Sequence, residues 1–370
     1  LTTGALLSYV RNQKKEREIV IYFMATGSGP CRFGQYYIFM EDLIKKLAIP
    51  DVAILTLTSE NSYLGMTKDF ELRAWWAVIL SDIMEDIRSM LLANAKMPDN
   101  ALASLDLIWG EILHGLALGD FKNLESILTR AAATLAAIPL KYPAEHVPTL
   151  SLTGEIFVRR DGLSRQNLTE RLAEKGFATI CSPVAEWVQY SEYLVENGFI
   201  DRELSLIEKL RFKVRKQFMA RYERTLRSIL STSGLIRRDV PNIREIIDHA
   251  LPYISPNLTG EAILTIGSSL FEIASHVCGV IAIGPFGCMP NRLSESILNE
   301  VMKREDRLAA DSNHKKLRQT LETLEELPFL AIESDGSPFP QLINAKLEAF
   351  CLRAERLHEK MMAAGASQGK

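Results

Sequence analysis

The chain has 370 residues, enough for two or three domains that each bury a core, and 47% of them are hydrophobic and 24% charged. A net charge of −3 excludes a nucleic-acid binder held by a broad basic surface. Five cysteines at wide spacing, with no Cys-x-x-Cys pair, exclude a disulfide framework and any metal site declared by local spacing, and suggest a reducing, cytoplasmic compartment.

In chain order, Thr2 or Thr3 can cap a first helix running into the charged residues 11–17. The run Ile19-Val-Ile-Tyr-Phe-Met24 reads as a strand and is followed by the turn-rich loop Thr26-Gly-Ser-Gly-Pro-Cys31. Residues 35–47 carry apolar Ile38, Phe39, Leu43, Ile44 and Leu47 at helical spacing, and Pro50 ends that pattern. Residues 52–57 form a second strand, completing a parallel crossover unit. Residues 66–95, 102–118 and 124–138 predict three helices, with Gly119 as a stop. No apolar run reaches the length that spans a bilayer, because the stretch 74–80 soon meets Asp82, Glu85 and Asp86. The start, Leu1-Thr-Thr-Gly4, has no signal-peptide pattern and reads like the middle of a longer protein.

Three prolines within residues 139–148 mark the expected domain boundary, giving a partial α/β domain over 1–140 and a second α/β domain over 141–370. In the second, strands are expected at 149–158 (with an exit loop), 177–181, 279–283 and 328–333. Helices are expected at 164–175, 186–196, 202–230, 242–250, 260–276, from 293 onward, and at 341–361. Residues 202–230 are so charged that they read as an insertion or solvated arm within 201–250. Their apolar Leu206, Leu210, Val214, Phe218 and Tyr222 form a stripe that faces either a partner or the core. The echo of Leu152-Thr-Gly-Glu155 in Leu258-Thr-Gly-Glu261 is too brief for a repeat.

Ligands of open parallel sheets sit beyond the carboxyl ends of the strands. Four loops leave such ends carrying Gly, Pro, Cys or acidic residues: 26–35, 154–163, 284–291 and 333–340. Two of them place a cysteine, Cys31 and Cys288, just before a helix, whose N-terminal partial charge favours the thiolate that ligates iron. Buried, space-filling cysteines are the competing reading. Cys181 also ends a strand and is a weaker candidate; Cys278 and Cys351 belong to the core. Glu155, Glu261, Glu333 and Asp335 suit acid–base work if buried beside a substrate, and otherwise caps and loop hydrogen bonds. Arg159, Arg160 and Arg165 suit phosphate or acidic partners, although a solvated surface is the commoner fate. The six histidines lie far apart and suit structural roles. A phosphate loop, a dinucleotide fingerprint and Gly-x-Ser-x-Gly are all missing. Cysteine-nucleophile chemistry at Cys288 has no nearby histidine in sequence to support it.

The segments Thr26-Gly-Ser-Gly-Pro-Cys-Arg-Phe-Gly-Gln-Tyr36, Gly154-Glu-Ile-Phe-Val158, Gly284-Pro-Phe-Gly-Cys-Met-Pro-Asn291 and Glu333-Ser-Asp-Gly-Ser-Pro-Phe339 resemble, in the same order, the C-terminal region of the CoA-substrate-specific enzyme activases. That region is related to 2-hydroxyacyl-CoA dehydratase subunits and double-cubane-cluster reductases. The resemblance implies two flavodoxin-like parallel-sheet domains with additional helices, the first incomplete. It implies an iron–sulfur cluster, of 4Fe–4S or double-cubane type, held by three cysteines. Cys31 and Cys288 fall on two of those positions, and the third would lie upstream of Leu1. Glu155 and Glu333 would stand on the substrate side or behind the ligands. The implied partners are an ATPase activase module on the same or another chain, a small-molecule or acyl-CoA substrate, and a second copy in a homodimer; nucleic acid and membrane are not expected. A scaffold that binds a partner through residues 201–238, without a cluster, is the reading from another class.

Overall fold

The computed structural model describes residues 2–26, 32–58, 68–199, 206–239, 242–310 and 315–366. Its contacts divide the chain into two compact units, Leu1–Glu71 and Leu72–Lys370.

The first unit runs α1 (Thr2–Asn12), β1 (Val20–Thr26), α2 (Tyr36–Lys46) and β2 (Val52–Thr58). The two strands pair in parallel from Val20↔Val52 to Thr26↔Thr58, the expected crossover. Alternation along β1 turns Tyr22 and Met24 toward a small core of Leu6, Met24 and Met40. The opposite set, Ile19, Ile21 and Phe23, is left exposed.

The second unit begins within α3 (Lys68–Asn94) and continues through α4 (Pro98–Leu118) and α5 (Phe121–Ala136). Then come β3 (Thr149–Gly154), α6 (Leu168–Ala173), β4 (Ala178–Cys181), α7 (Ala185–Glu196), α8 (Leu206–Ser231), α9 (Ile243–Ala250) and α10 (Glu261–Glu272). β5 (Gly279–Pro285), α11 (Met289–Val301), α12 (Arg304–Ala310), α13 (Lys315–Leu321), β6 (Phe329–Ser334) and α14 (Gln341–Ala366) complete it. All four strands are parallel, in the order β4-β3-β5-β6. Six of the seven residues of β5 are buried, as a central parallel strand requires. The chain is thus a mixed α/β protein with two small parallel sheets.

Local signals set several boundaries. Gly119 takes the left-handed conformation at φ +72° and returns its N–H to the Gly115 carbonyl, ending α4. Asp120 then caps α5 by accepting from Lys122 N at 3.0 Å. α11 begins at Met289, four residues before the expected 293, because Pro290 fits a first turn, where its missing N–H costs nothing. The short helices α12 and α13 come where the sequence reading placed no separate element.

Two expectations need correction. The helices of residues 72–138 do not close a domain ending at 140. Trp76, Leu80, Ile83 and Ile87 of α3, with Leu124 and Leu128 of α5, share one core with Val147, Ala178, Ala185, Leu226 and Leu230. The proline-rich segment is pinned to α3 by Lys141 N to the Asn94 carbonyl (2.8 Å) and by Asn94 Nδ2 to the Tyr142 carbonyl (2.8 Å), so it works as a strap rather than a linker. Secondly, one helix, α4, is long and apolar enough by length and composition to cross a membrane. It sets Ala101, Leu105, Ile108, Ile112 and Leu116 into that same core, where an apolar helix of a packed bundle also belongs.

The charged arm also splits in two. At its C-terminal half, Leu226 and Leu230 are fully buried, and Tyr222 packs edge-on against Trp76 and Phe121 with ring centroids 5.4 and 4.4 Å apart. At its N-terminal half, Leu210, Val214 and Phe218 stand exposed.

Candidate functional site

The connection from β3 leads to β4 on one side, and the chain returns to β5 on the other. The point where the order reverses lies between β3 and β5, and their carboxyl ends flank the crevice in which open α/β sheets place ligands. Three of the four loops singled out in the sequence leave this end of the second unit's sheet, from β3, β5 and β6. The fourth, with Cys31, leaves β1 in the first unit, and Cys31 lies outside the described residues.

The β3 exit is shaped by a glycine that nothing else can replace. Gly154 has φ +106°, and a Cβ there would stand 2.1 Å from the Ile283 carbonyl oxygen. The chain turns at once, with Glu155 N donating to that same carbonyl at 2.9 Å. Glu155 Oε2 then accepts from Val158 N at 2.8 Å, and Glu261 Oε1, from the first residue of α10, accepts from Ile156 N at 3.0 Å. The echoed Leu-Thr-Gly-Glu segments therefore converge. Gly154 and Gly260 share a φ of +106°, and each sends its glutamate onto the same turn. Burial raises the Glu155 pKa, and burial together with the Glu155 charge pushes Glu261 up to about 7.

The three arginines of the loop are neither solvated nor available to phosphate. Arg159 is buried and donates to the Gly154 carbonyl (2.6 Å) and the Pro183 carbonyl (3.2 Å). Arg160 meets Asp82 at 2.7 Å, and Arg165 meets Glu85 at 2.7 Å. Asp82 also accepts from Val184 N and Ala185 N, so one carboxylate from α3 caps α7 and anchors the β3 loop. These charges organise the second unit.

At the β5 exit, Cys288 is the N-cap of the 13-residue α11 and is half-buried, between exposed Phe286 and Met289. Its loop rests on the neighbouring strand end. Gly287 N donates to Glu333 Oε1 at 3.4 Å, and Arg292 bridges Glu333 (3.4 Å) and Glu295 (2.7 Å). The structure thus brings together two residues predicted from sequence, Glu333 and the Cys288 loop, with Glu333 paired to arginine and holding the loop. Asp335 accepts from Ser337 N at 2.8 Å, which holds its carboxyl below the usual range, as a loop-closing residue.

No protein-family model matches this chain, and no curated protein or solved structure matches it.

The remaining cysteines are core residues. Cys181 is buried at the β4 end, its Sγ 3.6 Å from the Arg159 carbonyl, and burial raises its thiol pKa, away from thiolate. Burial pushes Cys278, at the start of β5, up to about 12, and Cys351 in α14 up to about 11. An iron–sulfur cluster requires three or four thiolates in the usual case. The described residues present one suitably placed thiol, Cys288, and contain no group of three or more His, Cys, Asp or Glu that could hold a metal. By themselves they do not make a cluster site.

Sequence reasoning passed over Asn291. It occupies the first turn of α11, is 4% exposed, and neither Oδ1 nor Nδ2 has a hydrogen-bond partner. A Cβ on Gly284 would lie 2.6 Å from its amide carbon, so the amide lies across the last residues of β5. The sequence signal was present in Gly284, a glycine at a strand end that leaves room for another side chain. Two surface hollows lie away from these strand ends: an open groove of about 630 Å³ on α5 and α8 lined by Glu125, Arg221, Arg224 and Arg238, and one of about 280 Å³ near Pro328 and Arg353.

Proposed function

We propose that this chain is part of a cytoplasmic iron–sulfur redox protein of the 2-hydroxyacyl-CoA dehydratase-like kind, built on flavodoxin-like α/β domains. In this reading it receives low-potential electrons from an ATP-dependent activase module and serves the reduction or dehydration of a small substrate such as a CoA thioester. The observation that carries the reading is the strand order β4-β3-β5-β6, whose carboxyl ends carry three of the loops that bear the resemblance. Cys288 supports it as the N-cap of a 13-residue helix, where the end charge favours thiolate. When bound, a cluster would supply one-electron transfer, with Cys288 and Cys31 as two of its ligands. Glu333 and Arg292 keep the Cys288 loop in place, and Gly154 allows the β3 exit to lie directly against β5.

The test is anaerobic reconstitution of the protein, extended upstream of Leu1, beside its Cys31→Ala and Cys288→Ala forms. Iron and sulfide should fall in both variants. Undiminished contents in either end the reading.

A second reading, a partner-binding scaffold without a cluster, is favoured by one observation: Leu210, Val214 and Phe218 expose a row of apolar side chains, four residues apart, along α8. A colourless, iron-free protein whose partner is released by Val214→Lys would select it.

A further inference from the structure

The open groove on α5 and α8, about 630 Å³ in volume, is of a size that takes a small molecule. Arg221, Arg224, Thr225, Ser228 and Ile229 of α8 line it, with Glu125 of α5 and, beyond the end of α8, Arg238. Spacings of three and four residues set Arg221, Arg224, Thr225 and Ser228 on one face of the helix. Arg238 is brought in by an anchored turn, in which Leu235 is buried and Arg237 donates to both oxygens of Glu272 at 2.9 and 3.2 Å. The three groove arginines are exposed, and they differ from their neighbours in lacking a counter-charge. Arg130 of α5 meets Glu111 at 3.7 Å, Arg237 meets Glu272 at 2.9 Å, and Arg244 meets Glu196 at 3.1 Å. Among the described residues, no carboxylate pairs with Arg221, Arg224 or Arg238. Arg224 commits only its Nε, to the Ala220 carbonyl at 3.2 Å, so both terminal nitrogens remain. Glu125 is the single carboxylate of the lining, against three cations.

We propose that this groove binds a small molecule carrying a diphosphate or two clustered phosphate groups. A guanidinium presents its donors in a planar fork that matches phosphate oxygens. A lone ligand carboxylate has one charge and answers one arginine. A diphosphate has charge and acceptor oxygens for all three, and the Thr225 and Ser228 hydroxyls add donors. Ile229 gives an apolar wall for the rest of the molecule. Glu125 opposes the anion, so its removal strengthens binding. The inference goes beyond the redox and scaffold readings and requires neither.

The experiment is isothermal titration calorimetry of the full chain with pyrophosphate at low ionic strength. It compares the wild type with Arg221→Gln, Arg224→Gln, Arg238→Gln, Glu125→Gln and Arg130→Gln. None of these side chains is buried, so circular dichroism should match the wild type throughout. The wild type should bind saturably, and loss of each groove arginine should weaken binding about tenfold, the size of one charge-assisted hydrogen bond. Glu125→Gln should tighten it, a gain that a merely structural role would not produce. Arg130→Gln, outside the lining and paired with Glu111, should leave it unchanged. No saturable binding in the wild type overturns the proposal. So does an equal loss in Arg130→Gln, which would mean attraction by general surface charge. Vesicles of phosphatidylcholine with a diphosphorylated inositol lipid separate two sources of the same chemistry. Cosedimentation that Arg221→Gln abolishes assigns the groove to a lipid headgroup; pyrophosphate binding without cosedimentation assigns it to a soluble diphosphate. Iron content is measured separately, so this proposal and the redox reading can each fail while the other stands.

Discussion

The two parallel sheets of this protein start from the same unit, a strand, a helix and a second strand, and end in different states of cover. In the two-stranded sheet, β1 buries Met24 and leaves Ile21 at 65% and Phe23 at 54% exposure. In the four-stranded sheet, Val280, Ile281, Ala282 and Ile283 of β5 are all fully buried, so neither face meets water. Parallel sheets are stable when helices cover both faces. The second sheet meets that condition, and the helices packed on it hold charged side chains in its interior. Its buried acids Asp86, Glu186 and Glu223 are each pushed up to about 7. In the first unit, Glu18 is held below the usual carboxylate range by the Lys15 N–H and then by the Tyr9 hydroxyl, each at 2.8 Å, on the surface.

The most damaging way to test this contrast is at the β3 exit. Gly154→Val would force a side chain onto the Ile283 carbonyl, 2.1 Å away, at a φ of +106°. A loss of about 4 kcal/mol is expected, from strain and overpacking together. Gly287→Ala is the control, because a Cβ at Gly287, with φ +72°, meets nothing within 4 Å; its loss should be about 1 kcal/mol. Urea denaturation followed by circular dichroism compares the two. Equal midpoints would mean that the close approach of β3 to β5 does not shape the crevice.

A smaller effect comes from the buried acids. Glu223 is 6% exposed, accepts from Gln189 Nε2 at 2.7 Å, and is pushed up to about 7 by burial against the lowering pull of Arg227. The folded protein therefore holds this proton more tightly than the unfolded chain, whose glutamates titrate near 4.5. The stability it contributes is complete below that value and is lost as pH rises through about 7. Glu223→Gln keeps an acceptor for Gln189 and removes the titration. Unfolding free energies measured by urea denaturation from pH 5 to 8 should fall less steeply in the variant, by on the order of 1 kcal/mol per pH unit in that window. Parallel slopes would show that Glu223 is ionised throughout.

What could be read in advance follows from the range of the forces involved. Strands at 52–57 and 279–283 and the stop at Gly119 were legible because alternation, apolar runs and a left-handed glycine act within a few residues. The loops at 154, 284 and 333 were legible for the same reason, since Gly and Pro mark strand exits locally. The fate of Arg160 and Arg165 was not legible, because their partners Asp82 and Glu85 stand about 80 residues upstream on α3. The turn shared by Glu155 and Glu261 was hidden in the same way, because the hydrogen bond from Ile156 N to Glu261 spans 105 residues, although the repeated Leu-Thr-Gly-Glu was a usable sign. Asn291 escaped notice because an unmet amide leaves no trace in sequence. The domain boundary was misjudged because prolines at 139, 143 and 148 mark a rigid segment equally well whether it separates two cores or straps one together.

The smallest expected effect bears on the exposed face of β1. If Ile21 and Phe23 are uncovered in solution, as their 65% and 54% exposure implies, then Ile21→Thr and Phe23→Thr remove little buried area. Threonine keeps the strand preference of a β-branched residue, so the backbone is not penalised. Each substitution should then change stability by no more than about 0.5 kcal/mol. Met24→Ala, one residue along and 4% exposed, should cost about 2 kcal/mol or more, because it opens the small core shared with Leu6 and Met40. Thermal melts of the three variants against the wild type give the comparison directly. Costs for Ile21→Thr and Phe23→Thr that match Met24→Ala would mean that this face is covered in solution. The contrast between the two sheets would then lie in what covers them, not in whether they are covered.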